Sequence, residues 1–398
     1  MVGSGSLSLL AAGSVNNSTL QVGLMSGSAG VVTGTVLANY FSDGTGTSGF
    51  APIAQGSQLL NVTGNVYRLA SGSLVPGSLN LGNIRASANS VVSDGSITIT
   101  NSPSGLAAFT DLLRFGGTAT GGFSLTGGSS KLNAGSSATI GVQYNGDTTT
   151  PGMKSGTISF TLTSEGQANT NLPDVLLSSQ TLNVSANVFL KASALVKQGS
   201  FAVVDGGTLS LGNIRVGGTF SSLDLNVFNN QLSGSYSELL NVAVAGTGGF
   251  GMGSGTATQL LPGTIQSGTI SVGFGSTQFN APGVHGGSVS LGFVTDGTGT
   301  SGLGTLSIGT QTVNLTGTAF DFAIGSLTSS TVTLSAVREG SLFASGFVGV
   351  LNNAGTAGYS EKLNVQLVAS GGSATVVGSG SLSLLTAGSV NNSTLQVG

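Results

Sequence analysis

Two glycine-rich segments carry a spacing that could bind a phosphate group. Residues 44–49 and 297–302 both read G-x-G-x-x-G. In dinucleotide-binding proteins this pattern follows a strand, opens a helix and precedes an acidic residue by about 20 positions. Here residues 50–52 (FAP) and 303–304 (LG) follow, with no helical pattern. The sequence therefore predicts a hairpin or inter-strand loop at both places, and no nucleotide cofactor.

Calcium is the other ligand that these loops suggest. Asp43 and Asp296 come directly before the two glycine-rich segments, and Glu165 has the same phase in the chain. Oxygen-rich loops can bind Ca²⁺, but one carboxylate per loop is a small ligand set, and the EF-hand pattern is absent. Asp43 and Asp296 are the calcium candidates, and a carboxylate that caps its own turn is the favoured alternative. We predict no other metal or cofactor.

The sequence also lacks the residues that most hydrolytic sites need. His285 is the only histidine and there is no cysteine, so one chain cannot assemble a Ser-His-Asp triad or a thiolate site. We expect His285 on a solvated loop. Three arginines recur at the end of one repeated strand, with three acidic residues at a nearby phase: Arg85, Arg215 and Arg338, and Asp111, Glu238 and Glu361. A rim salt bridge repeated in each domain is favoured over catalysis, and we predict that the protein is not an enzyme.

Composition narrows the class of protein. Only 6% of the residues are charged and the net charge is −3, which excludes an electrostatic nucleic-acid binder. No apolar run approaches the roughly 20 residues of a membrane span. No cation precedes Arg68, so a secretion signal would have to lie outside this segment. There are 68 glycines, yet 39% of the residues are hydrophobic, with many β-branched ones. This combination predicts an all-β fold of strands joined by turns.

The chain repeats itself on two scales. Residues Val2–Gly23 return as Val377–Gly398 with one difference, Ala11 against Thr386, which sets a period of 375 residues. Within it, QLLNVTGNVYRLA at 58–70 returns, less well preserved, at 180–192 and 311–323. Three units of about 125 residues therefore fill one period.

Each unit reads as a set of short strands. Ile158, Phe160 and Leu162 alternate with polar residues, which is the pattern of a strand buried on one face. Seven or more such strands per unit predict tandem immunoglobulin-like antiparallel β-sandwiches. A β-helix is the second choice, because Gly, Asn, Ser and Thr are so frequent.

The order of the motifs resembles a known family. LGNIR, YSEKLNV, TGGF, GTISFTLTSEG or SDGTGTSGLG, and QTVNLTGT follow one another as in the choice-of-anchor D repeats of bacterial surface proteins. The resemblance covers essentially the whole chain and implies immunoglobulin-like domains, tandem arrangement and a surface location, but no activity. The degraded loop SEGQANTNL (164–172) departs from the pattern, which puts a ligand role for that loop in doubt.

The repeats predict four segments and a function. Residues 1–70 form the last part of a repeat, 71–192 and 193–323 are complete, and 324–398 form the first part of another. We predict a structural protein of a bacterial extracellular filament, fibre or surface coat, whose partner is itself, as a homopolymer or as neighbouring repeats. The alternative is the stalk of an adhesin.

Two routes could complete the partial repeats. Separate chains could exchange strands, or the polypeptide could continue covalently. We favour continuation, because Val2–Gly23 and Val377–Gly398 would compete for one position in an exchanged sandwich.

Overall fold

Strands make up nearly all of the regular structure. The structure is a computed structural model, and it describes residues 5–87, 94–103, 105–167, 170–355 and 358–398. Residues 2–4 of the opening copy and 168–169 of the degraded loop lie outside this part. Within it, the only helical segment is one 3₁₀ turn, Ala107–Phe109, and no helix is long and apolar enough to cross a membrane. The all-β prediction is confirmed. The chain divides into two compact units, Met1–Val188 and Phe189–Gly398.

The first unit begins with a long antiparallel hairpin. Strands β1 (Gly30–Ser42) and β2 (Ile53–Val66) form a separate two-stranded sheet. Their pairing runs from Gly30 opposite Val66 to Ser42 opposite Ile53, with a bulge between Tyr40 and Phe41. Glycine-rich residues connect the two strands, as the sequence predicts.

The rest of the first unit is a sandwich of two sheets. One has the order β3 (Gly72–Val75), β5 (Asp94–Asn101), β9 (Ser137–Tyr144), β7 (Phe123–Thr126). The other has the order β4 (Ser78–Arg85), β12 (Gln180–Phe189), β10 (Gly152–Glu165), β6 (Leu112–Ala119), β8 (Ser129–Leu132), with β11 (Val175–Leu176) beside β10.

Strict alternation along the strands builds the core of this sandwich. Ile158, Phe160 and Leu162 on β10 are at most 2% exposed, as predicted. Leu182 and Val184 on β12 are also buried, and the polar residues between them face outward. Because side chains in a strand alternate between the two faces, this pattern fixes which face of each strand enters the core.

The second unit contains a sandwich with the same plan. One sheet has the order β14 (Phe201–Ala202), β13 (Ala194–Gln198), β16 (Leu223–Asn229), β20 (Ile265–Gly273), β18 (Met252–Ser254). The other has the order β15 (Gly207–Arg215), β22 (Thr305–Phe320), β21 (Gly283–Asp296), β17 (Leu239–Gly249), β19 (Thr256–Leu260).

Strand order shows that the two sandwiches share one topology. The order β15-β22-β21-β17-β19 corresponds, strand for strand, to β4-β12-β10-β6-β8 of the first unit. The prediction of two similar sandwiches is confirmed, and the alternative β-helix is wrong. One pair departs from the antiparallel prediction, because β15 runs parallel to β22. The boundaries assigned to the repeats stay a prediction.

Residues 324–398 carry a smaller set of strands. One sheet has the order β23 (Gly325–Leu327), β24 (Gly346–Asn352), β28 (Val390–Val397), β26 (Val376–Val377). The other contains only β25 (Leu363–Gln366) and β27 (Ser381–Leu385). A small core of Val348, Val350, Leu382 and Leu395 joins them.

Candidate assembly site: the exit junctions

Three short contacts recur where the chain leaves a final strand. Each is a parallel β-bridge between a residue that follows the strand and a residue about 40–50 positions later: Arg68 with Thr110, Leu190 with Ser237, and Asp321 with Ser360. We call these three contacts the exit junctions. Two main-chain hydrogen bonds flank every bridge, with donor–acceptor distances of 2.8–3.0 Å. In the second junction, for example, the Leu190 amide donates to Tyr236 and the Glu238 amide donates to Leu190.

An aromatic pair covers each junction. The ring centroids lie 5.6 Å apart for Tyr67 and Phe109, 5.3 Å for Phe189 and Tyr236, and 6.4 Å for Phe320 and Tyr359. Pairs at these separations add packing energy beyond the area they bury. The first aromatic of each pair ends or follows a strand, and the second precedes the acidic residue of its junction by two positions.

A buried asparagine lies beneath every junction. Asn101, Asn229 and Asn352 end β5, β16 and β24, and each is 0% exposed. The Asn229 amide group donates to the carbonyls of Glu238 (3.2 Å) and Leu260 (3.0 Å). Its carbonyl oxygen accepts from the Ser193 amide at 3.2 Å.

The other two asparagines make the same three contacts. Asn101 bonds the carbonyls of Asp111 and Leu132 and the amide of Ser71; Asn352 bonds the carbonyls of Glu361 and Leu385 and the amide of Ile324. Three partners from distant segments thus meet on one buried amide. Sequence reasoning missed these residues, although an asparagine ends an apolar strand at the same phase in ITITN, LNVFN and VGVLN.

Two of the recurrent carboxylates are buried. Asp111 is 4% exposed and Glu238 is 0% exposed. Glu238 accepts hydrogen bonds from the hydroxyls of Thr295, at 2.8 Å, and Ser301. The Thr295 hydroxyl oxygen in turn accepts from the amide of Ala192 at 2.9 Å. The predicted rim salt bridge is therefore wrong for both residues, because the carboxylates lie under the junction rather than on its edge.

The first sandwich has a reduced version of this arrangement. The Ser164 hydroxyl donates to Asp111 at 2.9 Å and accepts from the Ala70 amide at 2.9 Å. Asp111 is one methylene shorter than glutamate, and its Oδ1 is buried with no hydrogen-bond partner in the structure. Thr170, at the position of Ser301, donates to Gln167 instead. The degraded loop thus coincides with a shorter, incompletely bonded carboxylate.

The third recurrent carboxylate forms an ion pair with the preceding repeat. Arg215 Nε lies 2.7 Å from Glu361 Oε1, and the guanidinium lies 5.6 Å from the Phe322 ring centroid. The hydrogen bond to Glu361 raises the pKa of Arg215 above its ordinary value. This pair joins two repeats within the second unit, whereas the sequence predicted pairing inside each one.

The glycine-rich segments are hairpin loops, and this prediction is confirmed. Residues 297–304 connect antiparallel β21 to β22, and no helix follows. A Cβ on Gly297 would overlap Ser301 Oγ and Glu238 Oε1, so a residue without a side chain is required beside the buried carboxylate. Ser301 of this loop supplies one of the hydroxyls to Glu238.

Both calcium candidates cap their own loops. Asp43 accepts from the Thr45 amide at 2.9 Å and hydroxyl at 2.5 Å, and this bonding lowers the pKa of Asp43 below 3.8. Asp296 accepts from the Thr298 amide at 3.0 Å and hydroxyl at 2.6 Å. In the part of the chain that the structure describes, no group of three His, Asp or Glu residues could hold a metal ion. Calcium binding stays a prediction.

Two further candidate residues lie in surface contacts. Glu165 Oε2 lies 3.1 Å from Arg114 Nε, and Glu165 Oε1 lies 2.5 Å from Lys131 Nζ. The Lys131 hydrogen bond, followed by the charges of Lys131 and Arg114, lowers the pKa of Glu165 below its ordinary value of 4.5. His285 lies in β21, with its ring centroid 4.5 Å from that of Phe279. The prediction of a solvated loop for His285 is therefore wrong.

Comparison with known proteins gives only distant similarities. No family model and no curated protein matches the chain. Among solved structures, a protein of unknown function from Porphyromonas gingivalis W83 is 10% identical, with a TM-score of 0.26, over 62% of this chain and 99% of that one. The E. coli chaperone DraB is 12% identical, with a TM-score of 0.22, over 60% and 98%.

A third similar structure is the PapD-like domain 7 of human CEP192. It is 7% identical, with a TM-score of 0.23, over 31% of this chain and 87% of that one. These scores are too low to carry an argument about what the chain does.

Proposed function

We propose that this protein is a structural repeat protein of a bacterial extracellular filament, fibre or surface coat. In this proposal β-sandwich repeats are joined end to end, and the protein performs no catalysis. The exit junctions carry the proposal, because the same bridge, aromatic pair and buried asparagine occur three times. A repeated, fully bonded junction stiffens the connection between one repeat and the next, which a load-bearing fibre needs and a flexible linker lacks.

The surface composition supports lateral association. Only 6% of the residues are charged, so side-by-side contacts between copies meet little electrostatic repulsion. Exposed apolar side chains lie on both faces of the hairpin β1–β2, including Leu37, Phe41 and Leu59. A low-charge surface with such patches favours self-association over a dispersed monomer.

Labelling of intact cells tests the proposal. An antibody raised against the full chain, used on unpermeabilised cells with gold detection, should decorate the cell surface or filaments that leave it. Permeabilised cells serve as the matched control for total protein. Label that appears only after permeabilisation would overturn the extracellular assignment. Surface label on isolated single chains that end in a distinct tip would favour the adhesin stalk.

A further inference from the structure

The sheet that contains β25 has open positions that the second sandwich fills. In the second sandwich, β17 pairs with β19 on one side and with β21 on the other. The matching strand β25 forms a two-stranded sheet with β27. Residues 331–338, which match β15, are mostly exposed and have no strand assignment. Among the described strands of residues 324–398, none occupies the positions of β21 and β22.

The hairpin β1–β2 is a preformed version of those two strands. SDGTGTSGF at 42–50 matches TDGTGTSGL at 295–303, and the Asn61 motif matches the Asn314 motif at the same offset of 253 residues. Gly30 pairs with Val66 as Gly283 pairs with Ala319, and both hairpins have the bulge at the same step. The register that docking would need is already set in the free hairpin.

Burial differs sharply between the two hairpins. Phe293 and Val313 are 8% and 0% exposed in the second sandwich. Their counterparts Tyr40 and Leu60 are 46% and 51% exposed. The apolar face that enters a core in one hairpin is therefore uncovered in the other, which is the condition for completing a sandwich elsewhere.

We propose that the hairpin β1–β2 of one copy of the chain inserts between residues 331–338 and β25 of a second copy. This inference rests on the proposed function and names its interface. The inserted strands would give the order 331–338, β2, β1, β25, β27, which reproduces β15-β22-β21-β17-β19.

Polar groups at the junction fix the register of this insertion. Glu361 of the acceptor corresponds to Glu238, and Ser42 and Ser48 of the donor correspond to Thr295 and Ser301. The donor hydroxyls therefore reach the Glu361 carboxylate, as Thr295 and Ser301 reach Glu238.

A second polar contact follows from the same alignment. The Asn241 amide group donates to Asp296 at 3.0 Å. Asn364 of the acceptor matches Asn241 and Asp43 of the donor matches Asp296, so the amide of Asn364 donates to Asp43. A shift of one residue would break these bonds and turn every apolar side chain to the wrong face.

Disulfide trapping between two copies tests the insertion. The pairing of Val242 with Phe293 places Val365 of the acceptor opposite Tyr40 of the donor. Directly opposed residues in antiparallel strands lie about 4.5–5.5 Å apart at Cα, within the range of a disulfide. The chain has no cysteine, so Tyr40→Cys and Val365→Cys can each be the only thiol in a full-length protein.

The two variants are mixed and oxidised, and the linked peptides are identified by mass spectrometry. We expect a heterodimer joining positions 40 and 365, at least tenfold more abundant than the product of Phe41→Cys with Val365→Cys. Phe41 is the matched control, because adjacent residues in a strand point to opposite faces. Equal yields from both mixtures, or no heterodimer, would overturn the proposal.

A double variant separates docking between copies from closure within one chain. Tyr40→Cys/Val365→Cys in one chain should give disulfide-linked polymers that grow with protein concentration. A monomer with an internal disulfide at every concentration would overturn insertion into a second copy. If trapping fails but intact cells are still labelled, the insertion is wrong and the proposed function stands.

Discussion

Residues 5–23 and 380–398 have nearly the same sequence and different structures. The later copy contributes β27 and β28, and Leu395 in β28 is 0% exposed. The opening copy has no strand between residues 5 and 22, and its counterpart Leu20 is 54% exposed. The difference cannot come from local preference, because 21 of the 22 residues in the full repeated segments are identical.

Local turns are the same in both copies. Asn16 accepts from the amides of Ser18 and Thr19, and Asn391 accepts from those of Ser393 and Thr394, at 2.9–3.2 Å. The unusual positive φ of Leu9, 58°, also recurs at Leu384, as 60°. Turn chemistry is therefore encoded by the few residues that form the turn.

Strand formation depends instead on the partners. Residues 390–397 lie between β24 and β26 and bury Leu395 against Val348 and Val350. An isolated strand leaves its main-chain groups unpaired and has no apolar face to cover. The comparison shows that this sequence specifies turns by itself and strands only in the company of the rest of the repeat.

The largest effect is expected from a charge placed on matched covered and uncovered hairpin positions. Leu182 is 3% exposed and its counterpart Leu60 is 51% exposed. Leu182→Asp should destabilise the first sandwich by more than about 4 kcal/mol, since it buries an unpaired charge. Leu60→Asp should change the stability of unassembled chains by less than about 0.5 kcal/mol. Hydrogen exchange of residues 152–165 in the full chain measures both, and equal loss of protection would remove the distinction.

A smaller effect is expected in the two copies of the repeated segment. Leu395→Ala should lower the free energy of opening of β28 by about 2–4 kcal/mol, because it leaves a cavity in a small core. Leu20→Ala, the same change in the same local sequence, should leave hydrogen exchange unaltered. If Leu20→Ala exposes other amides as strongly as Leu395→Ala, the opening copy must be packed in solution and the comparison fails.

The turn asparagines should separate local from global stability. Asn391→Ala removes a turn that precedes a buried strand residue, and should cost about 0.5–1 kcal/mol of β28 stability. Asn16→Ala removes the same turn where no strand depends on it. We expect it to alter only the NMR chemical shifts of residues 14–20. A change in thermal melting with Asn16→Ala would contradict this.

The smallest effect concerns the surface ion pairs of Glu165. Its pKa is lowered in the folded chain, so its stabilising contribution is present above about pH 4.5 and lost as the pH falls through the folded pKa. Glu165→Gln should therefore melt slightly below the parent at pH 7 and equally at pH 2.5. The difference is small because Arg114 and Lys131 are about half exposed, at 47% and 57%. A gap that widens at low pH would contradict the sign.

The features that were predictable from sequence are those with a short repeat distance. The alternation at Ile158, Phe160 and Leu162 gave the buried face of β10, and the glycine-rich segments gave their hairpin loops. The junctions were not predictable in this way, because Asn229 joins Ser193, Glu238 and Leu260 through space. A recurrent asparagine at the end of an apolar strand was the available signal. The burial of Glu238 depended on hydroxyls more than 50 residues away, which no local pattern contains.

Completion of one repeat by another copy is the claim on which the assembly account depends. Electron cryo-microscopy of filaments assembled from the full chain tests it most directly. We predict continuous five-stranded density in which β1 and β2 of one copy lie between residues 331–338 and β25 of its neighbour, with Ser42 and Ser48 beside Glu361. Filaments in which the hairpin projects free, or in which residues 324–398 remain a two-sheet fragment with β25 unpaired on that side, would contradict the account.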